Sequence, residues 1–286
     1  MMIIYQYLSK SSRANKLRKL CRIFPLFFFM LSCLLIQAES LHLPSGLDWI
    51  VLPDLVNPYT LPSLDAEKAE VVFKYLEQIK EIEQPKDVIS SSLDWVCFEC
   101  EGQILYLPQA LLVQSVGLSP NLSQQNVDKF NPLPLNYSPN DLLEIDQKWN
   151  FHASDYPKYL RSEAAAALDN MLQEAEGMGI HLRVFSAFRS SEKQRTLYLN
   201  AIEKQGLKQE WVAKPGHSEH QLGTTVDLSN PNPRSVGHQS FGLSKEGQWL
   251  QAYAEKFGFK QSYTQDNKRF TGYQSEPWHY RYVGHQ

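Results

Sequence analysis

Two short stretches of this 286-residue chain carry residue types that bind metals. In the first, Ser218-Glu219-His220-Gln221-Leu222-Gly223-Thr224-Thr225-Val226-Asp227, a loop histidine precedes an aspartate embedded in an apolar run. A carboxylate there is costly to bury unless it is paired or coordinates a cation. The second, Glu276-Pro277-Trp278-His279-Tyr280-Arg281-Tyr282, sets a Glu and a His three residues apart at the entrance to an aromatic strand. His220, Asp227 and His279 make a three-ligand set that leaves a fourth tetrahedral position for water, the arrangement of a catalytic rather than a structural zinc site. Zinc lowers the pKa of such a water to about 7, and Glu276, close by without being a ligand, can take its proton as it attacks a carbonyl. Either spacing alone is common by chance, and an isolated Asp227 would read as a local cap or salt bridge. His217, three residues before His220, would close the site as a fourth ligand and is read instead as lying behind the ligands or facing substrate.

Positioning these groups requires strands and helices, and the flanking sequence supplies them. Ala164, Leu168, Met171, Leu172 and Ala175 form one apolar helix face, with Gly177 or Gly179 as the stop. Residues 181–188 are strand-like, and Ser191 begins a second helix with Leu197, Tyr198 and Ile202, for which Ser191 and Gln194 read as a capping box. Residues 224–228 read as a buried strand, Ser244 caps a third helix ending at Gly258, and residues 259–263 and 279–283 look like strands. The expected fold class is α+β: a small, mainly antiparallel sheet with flanking helices.

Upstream the chain changes character. Residues 1–38 hold Lys10, Arg13, Lys16, Arg18, Lys19 and Arg22, no acidic residue, and the uncharged run 23–36, ending in Gln37-Ala38. This describes a secretory leader cut after Ala38, and hence export to the periplasm, extracellular space or cell envelope. The run is shorter than the roughly 20 residues that span a bilayer, so membrane contact is expected only if the leader is retained as an anchor, or acylated at Cys33. Residues 39–126 form an acidic accessory region with 13 acidic and 4 basic residues, and residues 117–126 read as a linker to the domain at 127–286. Within the accessory region Asp65 caps an expected helix over residues 67–83, and residues 104–107 read as a strand. Cys97 and Cys100 read as a small structural disulfide; Asp94, Glu99 and Glu101 would raise a thiol pKa, which argues against a thiol oxidoreductase. The net charge of −3, with 43% hydrophobic and 12% aromatic residues, excludes a disordered or collagen-like chain and gives nucleic acid no electrostatic footprint.

The run Pro215-Gly216-His217-Ser218-Glu219-His220-Gln221-Leu222-Gly223 with Asp227, then Glu276 to Gly284, resembles the VanY-type D-alanyl-D-alanine carboxypeptidases of the LAS group of zinc peptidases. Residues 133–139, the Ala-rich helix and Val184-Phe185-Ser186-Ala187-Phe188-Arg189-Ser190 with Gln194 match in the same order, so the resemblance covers residues 127–286 and leaves 39–126 unmatched. It implies one zinc ion on His220, Asp227 and His279, Glu276 as catalytic base, and Arg189 beside the metal as oxyanion stabiliser. Ser218 and Gln194 match positions that hold the substrate's terminal carboxylate, and Trp278 walls the pocket or stacks on substrate. Phe188 stands where many relatives have Tyr, and Thr225 where Ala is usual. The implied substrate is a peptidoglycan stem peptide losing its C-terminal D-alanine. LD-carboxypeptidase and endopeptidase activities share the scaffold, and a non-catalytic zinc-stabilised wall-binding module is the rival reading.

Overall fold

The computed structural model describes residues 48–83, 93–114, 116, 126–152 and 156–284. The expected leader, residues 39–47 of the accessory region and residues 117–125 of the expected linker lie outside them. Among the described residues no helix is long and apolar enough to cross a membrane.

The accessory region is built of strands: β1 (Asp48–Val51), β2 (Leu55–Val56), β3 (Phe73–Lys74), β4 (Gln78–Lys80), β5 (Trp95–Cys100), β6 (Gln103–Pro108) and β7 (Leu112–Gln114). β1 lies between β4 and β7 in an antiparallel sheet, while β2 pairs with β3 and β5 with β6. Alternation along β1 sends Trp49 and Val51 inward, where they meet Ile79, Phe98, Leu105 and Leu112.

Two expectations fail here. The helix expected over residues 67–83 is absent: β3 and β4 occupy this stretch, and the amide of Asp65 donates to Ser63 Oγ in a turn. Its apolar residues are rich in β-branched Val and Ile, and their helical spacing is coincidental, since Ile79 is buried while Val72 and Leu76 are exposed. Leu76 also has a φ of 69°, which a helix interior forbids. Cys97 and Cys100 are free thiols rather than a disulfide. They sit three apart on β5, so they point to opposite faces at a separation no disulfide can bridge.

The second half contains β8 (Leu142–Glu144), β9 (Tyr159–Arg161), α1 (Ser162–Gly177), β10 (Arg183–Ser186), α2 (Ser191–Gln205), β11 (Thr225–Ser229), α3 (Lys245–Tyr253), β12 (Phe259–Gln261), α4 (Lys268–Thr271) and β13 (His279–Tyr282). The main sheet runs β10-β11-β13-β12 with every neighbour antiparallel, which is the α+β architecture expected. Period-two alternation sorts its central strands. Val226, Leu228, Tyr280 and Tyr282 join α1's Leu168, Met171 and Leu172 in the core, leaving Asp227, His279 and Arg281 on the opposite face. The α2 cap falls one residue earlier than expected: Ser190 Oγ accepts from the Lys193 amide, while Ser191 Oγ donates to the Leu135 carbonyl. Two glycines hold the loop before β11. A Cβ on Gly216 (φ +82°) would lie 2.7 Å from the Leu133 carbonyl oxygen, and Gly223 (φ +74°) ends the turn carrying His220.

Candidate functional site

Register puts the first two groups together, because Asp227 on β11 is directly opposite His279 on β13. His220 arrives from the single helical turn Glu219–Leu222, and the donor atoms of His220, Asp227 and His279 all lie within 4.8 Å of one another. All three are buried. Their orientation is dictated from behind. His220 Nδ1 is 2.6 Å from the Ala187 carbonyl, which can only accept, so Nδ1 carries the proton and Nε2 is left to face Asp227 Oδ2 at 3.1 Å. His279 Nε2 lies 2.9 Å from Glu219 Oε2, turning Nδ1 toward Asp227 Oδ1 at 3.1 Å. A carboxylate or carbonyl behind each imidazole is the arrangement that fixes the tautomer of a metal-binding histidine.

The remaining groups converge on the same place. Glu276 Oε2 stands 3.5 Å from His279 Nδ1, and Arg189 Nη2 is 3.6 Å from Asp227 Oδ2. Arg189 also donates to Gln194 Oε1 (2.7 Å) and Ser186 Oγ (3.0 Å), and its amide donates to the His220 carbonyl. Glu276, Arg189, Gln194 and the three donors line a pocket of about 220 Å³ together with Ser218 and Trp278. His217 is not brought there. It lines a neighbouring cleft of about 710 Å³, with Nδ1 at 2.8 Å from the Asp128 carbonyl.

Residues 157–285 match the family model for VanY, D-alanyl-D-alanine carboxypeptidase. The Bacillus subtilis protein YodJ is 38% identical over 160 residues, 55% of this chain and 59% of its own. A bifunctional D-Ala-D-Ala dipeptidase and D-Ala-D-Ala carboxypeptidase, VanXYC of Enterococcus gallinarum, is 30% identical over 164 residues, 56% of this chain and 83% of its own. The chain belongs to the VanY family. Among solved structures, the LdcB LD-carboxypeptidase matches with a TM-score of 0.55 and 32% identity, over 68% of this chain and 86% of that one. The matched part spans less than two thirds of YodJ, and 57% of a D-alanyl-D-alanine carboxypeptidase of Enterococcus faecalis that is 31% identical.

Electrostatics distinguishes the roles of this VanY-family chain's carboxylates. Burial pushes Asp227 up, but the neighbouring His220 and His279 outweigh it and hold the carboxyl well below the usual range. Glu276 goes the other way: burial, opposed by His279 and reinforced by the Asp227 charge, pushes it up to about 7. Burial lowers His220 to about 4, with the Arg189 charge adding to it. Against the same burial, Asp227 and Glu219 raise His279 to about 10 in the absence of a cation. One carboxylate is thus held ionised among the donors and a second is poised near neutrality beside them.

Glu219 and Arg281 are functional neighbours that motif spacing did not single out. Glu219 Oε1 accepts from Arg281 Nη1 at 3.1 Å while its other oxygen holds His279. The available signal was period two, since Arg281 follows His279 by two residues on one strand and shares its face. Tyr263, whose ring centroid lies 4.6 Å from that of His279, and the half-exposed Trp211 complete the pocket wall.

Proposed function

We propose that this protein is an exported zinc carboxypeptidase that removes a C-terminal D-alanine from peptidoglycan stem peptides. One observation carries the reading: His220, Asp227 and His279 share a pocket with Glu276 and Arg189 in a chain of the VanY family. The donor set fits zinc, with two imidazole nitrogens turned inward by their outer hydrogen bonds and one carboxylate between them. A zinc ion there supplies a Lewis acid for the scissile carbonyl and makes water acidic enough to ionise near neutral pH. Glu276 takes the proton of the attacking water and returns it to the nitrogen of the departing D-alanine. Arg189, charged at any working pH, faces the oxyanion that develops on the carbonyl. Ser218 lines the pocket where the terminal carboxylate is bound. Gln194 is 1% exposed, with its oxygen engaged by Arg189 and its nitrogen by the Ala213 carbonyl, so in this arrangement it also holds Arg189 in place. A wall-binding module would need neither Glu276 nor Arg189.

The D-Ala-D-Ala bond is the favoured target, in keeping with the family description and the Enterococcus relatives. Cleavage between an L-centre and D-Ala is the second reading, favoured by the likeness to LdcB. Export follows from the basic and apolar leader together with a substrate outside the cytoplasmic membrane. Zinc-loaded protein recovered from outside the cytoplasm should begin at Glu39 and release D-alanine from a pentapeptide stem, and a chelator should stop it. Release only from a tetrapeptide stem would transfer the assignment to the LD reaction, and release from neither would overturn it.

Glu219 offers a separate check on the metal site. Glu219→Gln keeps an acceptor for His279 but removes the charge behind the imidazole. It should weaken zinc binding about 10–100-fold, as measured by competition with a chromophoric chelator. Unchanged affinity would mean that Glu219 only pairs with Arg281.

A further inference from the structure

We propose that the accessory region is a positioning element of the active site, acting through Lys214 and Gln194 on Arg189. The two ends of this connection are α2 and the loop that follows it. On one side of α2, Arg195 Nε donates to the Leu52 carbonyl (2.6 Å), its Nη2 pairs with Asp54 (2.5 Å), and its guanidinium covers the Tyr75 ring at 3.9 Å. One turn on, Tyr198 packs with Leu52 and Val113 and donates to the Ala110 carbonyl at 2.9 Å. The apolar face of α2 is therefore directed at β1, β7 and the segment between β6 and β7, all in the accessory region.

The loop after α2 meets the same region twice: Val212 packs against the cluster of Leu52, Val113 and Tyr198, and Lys214 supplies hydrogen bonds. Lys214 Nζ donates to the carbonyls of Gln109 (2.8 Å) and Leu112 (3.0 Å). An apolar residue would pack there without the cost of desolvating an ammonium, which burial depresses to about 8. What the ammonium adds is direction, because two fixed carbonyls define where its backbone lies. The adjacent Ala213 carbonyl accepts from Gln194 Nε2 at 2.7 Å, and Gln194 Oε1 accepts from Arg189 Nη1 at 2.7 Å. A carbonyl only accepts and a guanidinium only donates, so Ala213 and Arg189 together fix the Gln194 amide, and its position follows that of the Ala213 carbonyl. With Lys214 released, the Ala213 carbonyl keeps only the restraints on its neighbours, the Gln209 bonds to Val212 and the His217 amide on the Lys214 carbonyl; it can then shift, and the Gln194 amide that bridges it to the guanidinium shifts with it. A misplacement of about 1 Å can cost roughly 100-fold in rate.

The kinetic arm of the test rests on the carboxypeptidase reading; a spectroscopic arm does not. In the full chain, Lys214→Met should lower kcat for D-alanine release by about 10–100-fold with KM little changed, and Lys214→Arg, which can reach both carbonyls, should restore most of it. On a Gln194→Ala background, Lys214→Met should cost no more than about twofold. Equal losses in both backgrounds would overturn the proposal, because a merely structural lysine acts independently of Gln194. Separately, ¹⁵N NMR of the Arg189 guanidinium should show restrained Nη1 hydrogens in the wild type and faster rotation in Lys214→Met. An unchanged guanidinium would overturn the proposal even if no D-alanine is released by any form. Should Lys214→Met fail to fold, Lys214→Gln, which keeps one donor and loses the charge, replaces it in every arm.

Discussion

Glu276→Gln should lower kcat/KM for D-alanine release by about 10²–10⁴-fold while leaving zinc affinity intact. The substitution is nearly isosteric, and Glu276 is not among the three donors that face one another. What it removes is the capacity to accept a proton at a point 3.5 Å from His279. A base must be ionised, and burial pushes Glu276 up to about 7, so wild-type activity should rise with pH through its pKa. A cation on the adjacent donors stabilises the ionised form, placing that acid limb below 7 in the zinc enzyme. The limb should vanish from the residual activity of Glu276→Gln. The stability sign runs opposite to the catalytic one. A carboxyl whose folded pKa is raised contributes stability below its unfolded pKa, about 4.3, and loses it as pH rises through the folded value. The metal-free variant should accordingly be no less stable than wild type above pH 7, as a thermal melt would record. Retained turnover would remove Glu276 from the chemistry.

What the sequence made legible depended on how local each signal was. The strand bearing Asp227 and the helix face of α1 follow from periodicity and capping within about a dozen residues, and the structure has them with ends shifted by one or two positions; α3 keeps its expected start and apolar face but ends at Tyr253, and a separate 3-10 turn, Ala254–Phe257, carries the chain to Gly258. The pairing of Asp227 with His279 spans 52 residues and is set by register between β11 and β13, which no spacing rule encodes. It could be inferred only from residue chemistry and from resemblance. His217 shows how little proximity in sequence decides: three residues from His220, it is, as expected, not one of the donors, and it bonds to the Asp128 carbonyl and lines the neighbouring cleft. In the accessory region, strands of two to six residues offer too short a pattern, and Val71, Tyr75 and Ile79 fall on helical spacing by coincidence. The role of Glu219 was hidden because it depends on Arg281 and His279, both distant in sequence.

Asp227→Asn tests the metal centre itself and should abolish it. Asp227 is the donor between the two histidines, with Oδ1 toward His279 and Oδ2 toward both His220 and Arg189. An amide there has no charge to balance a dication, and the buried guanidinium of Arg189 loses its nearest anion. Breaking a buried pair in this way costs about 3–5 kcal/mol, so the metal-free variant should melt earlier than wild type. Zinc at about 100 times its Kd should stabilise wild type by about 2.7 kcal/mol, worth roughly 5–10 °C in Tm for a protein of this size. Glu276→Gln should keep that shift; Asp227→Asn should lose it along with D-alanine release. If Asp227→Asn retained a zinc-dependent rise in Tm while losing activity, the ion would be held elsewhere and Asp227 would serve only to anchor Arg189.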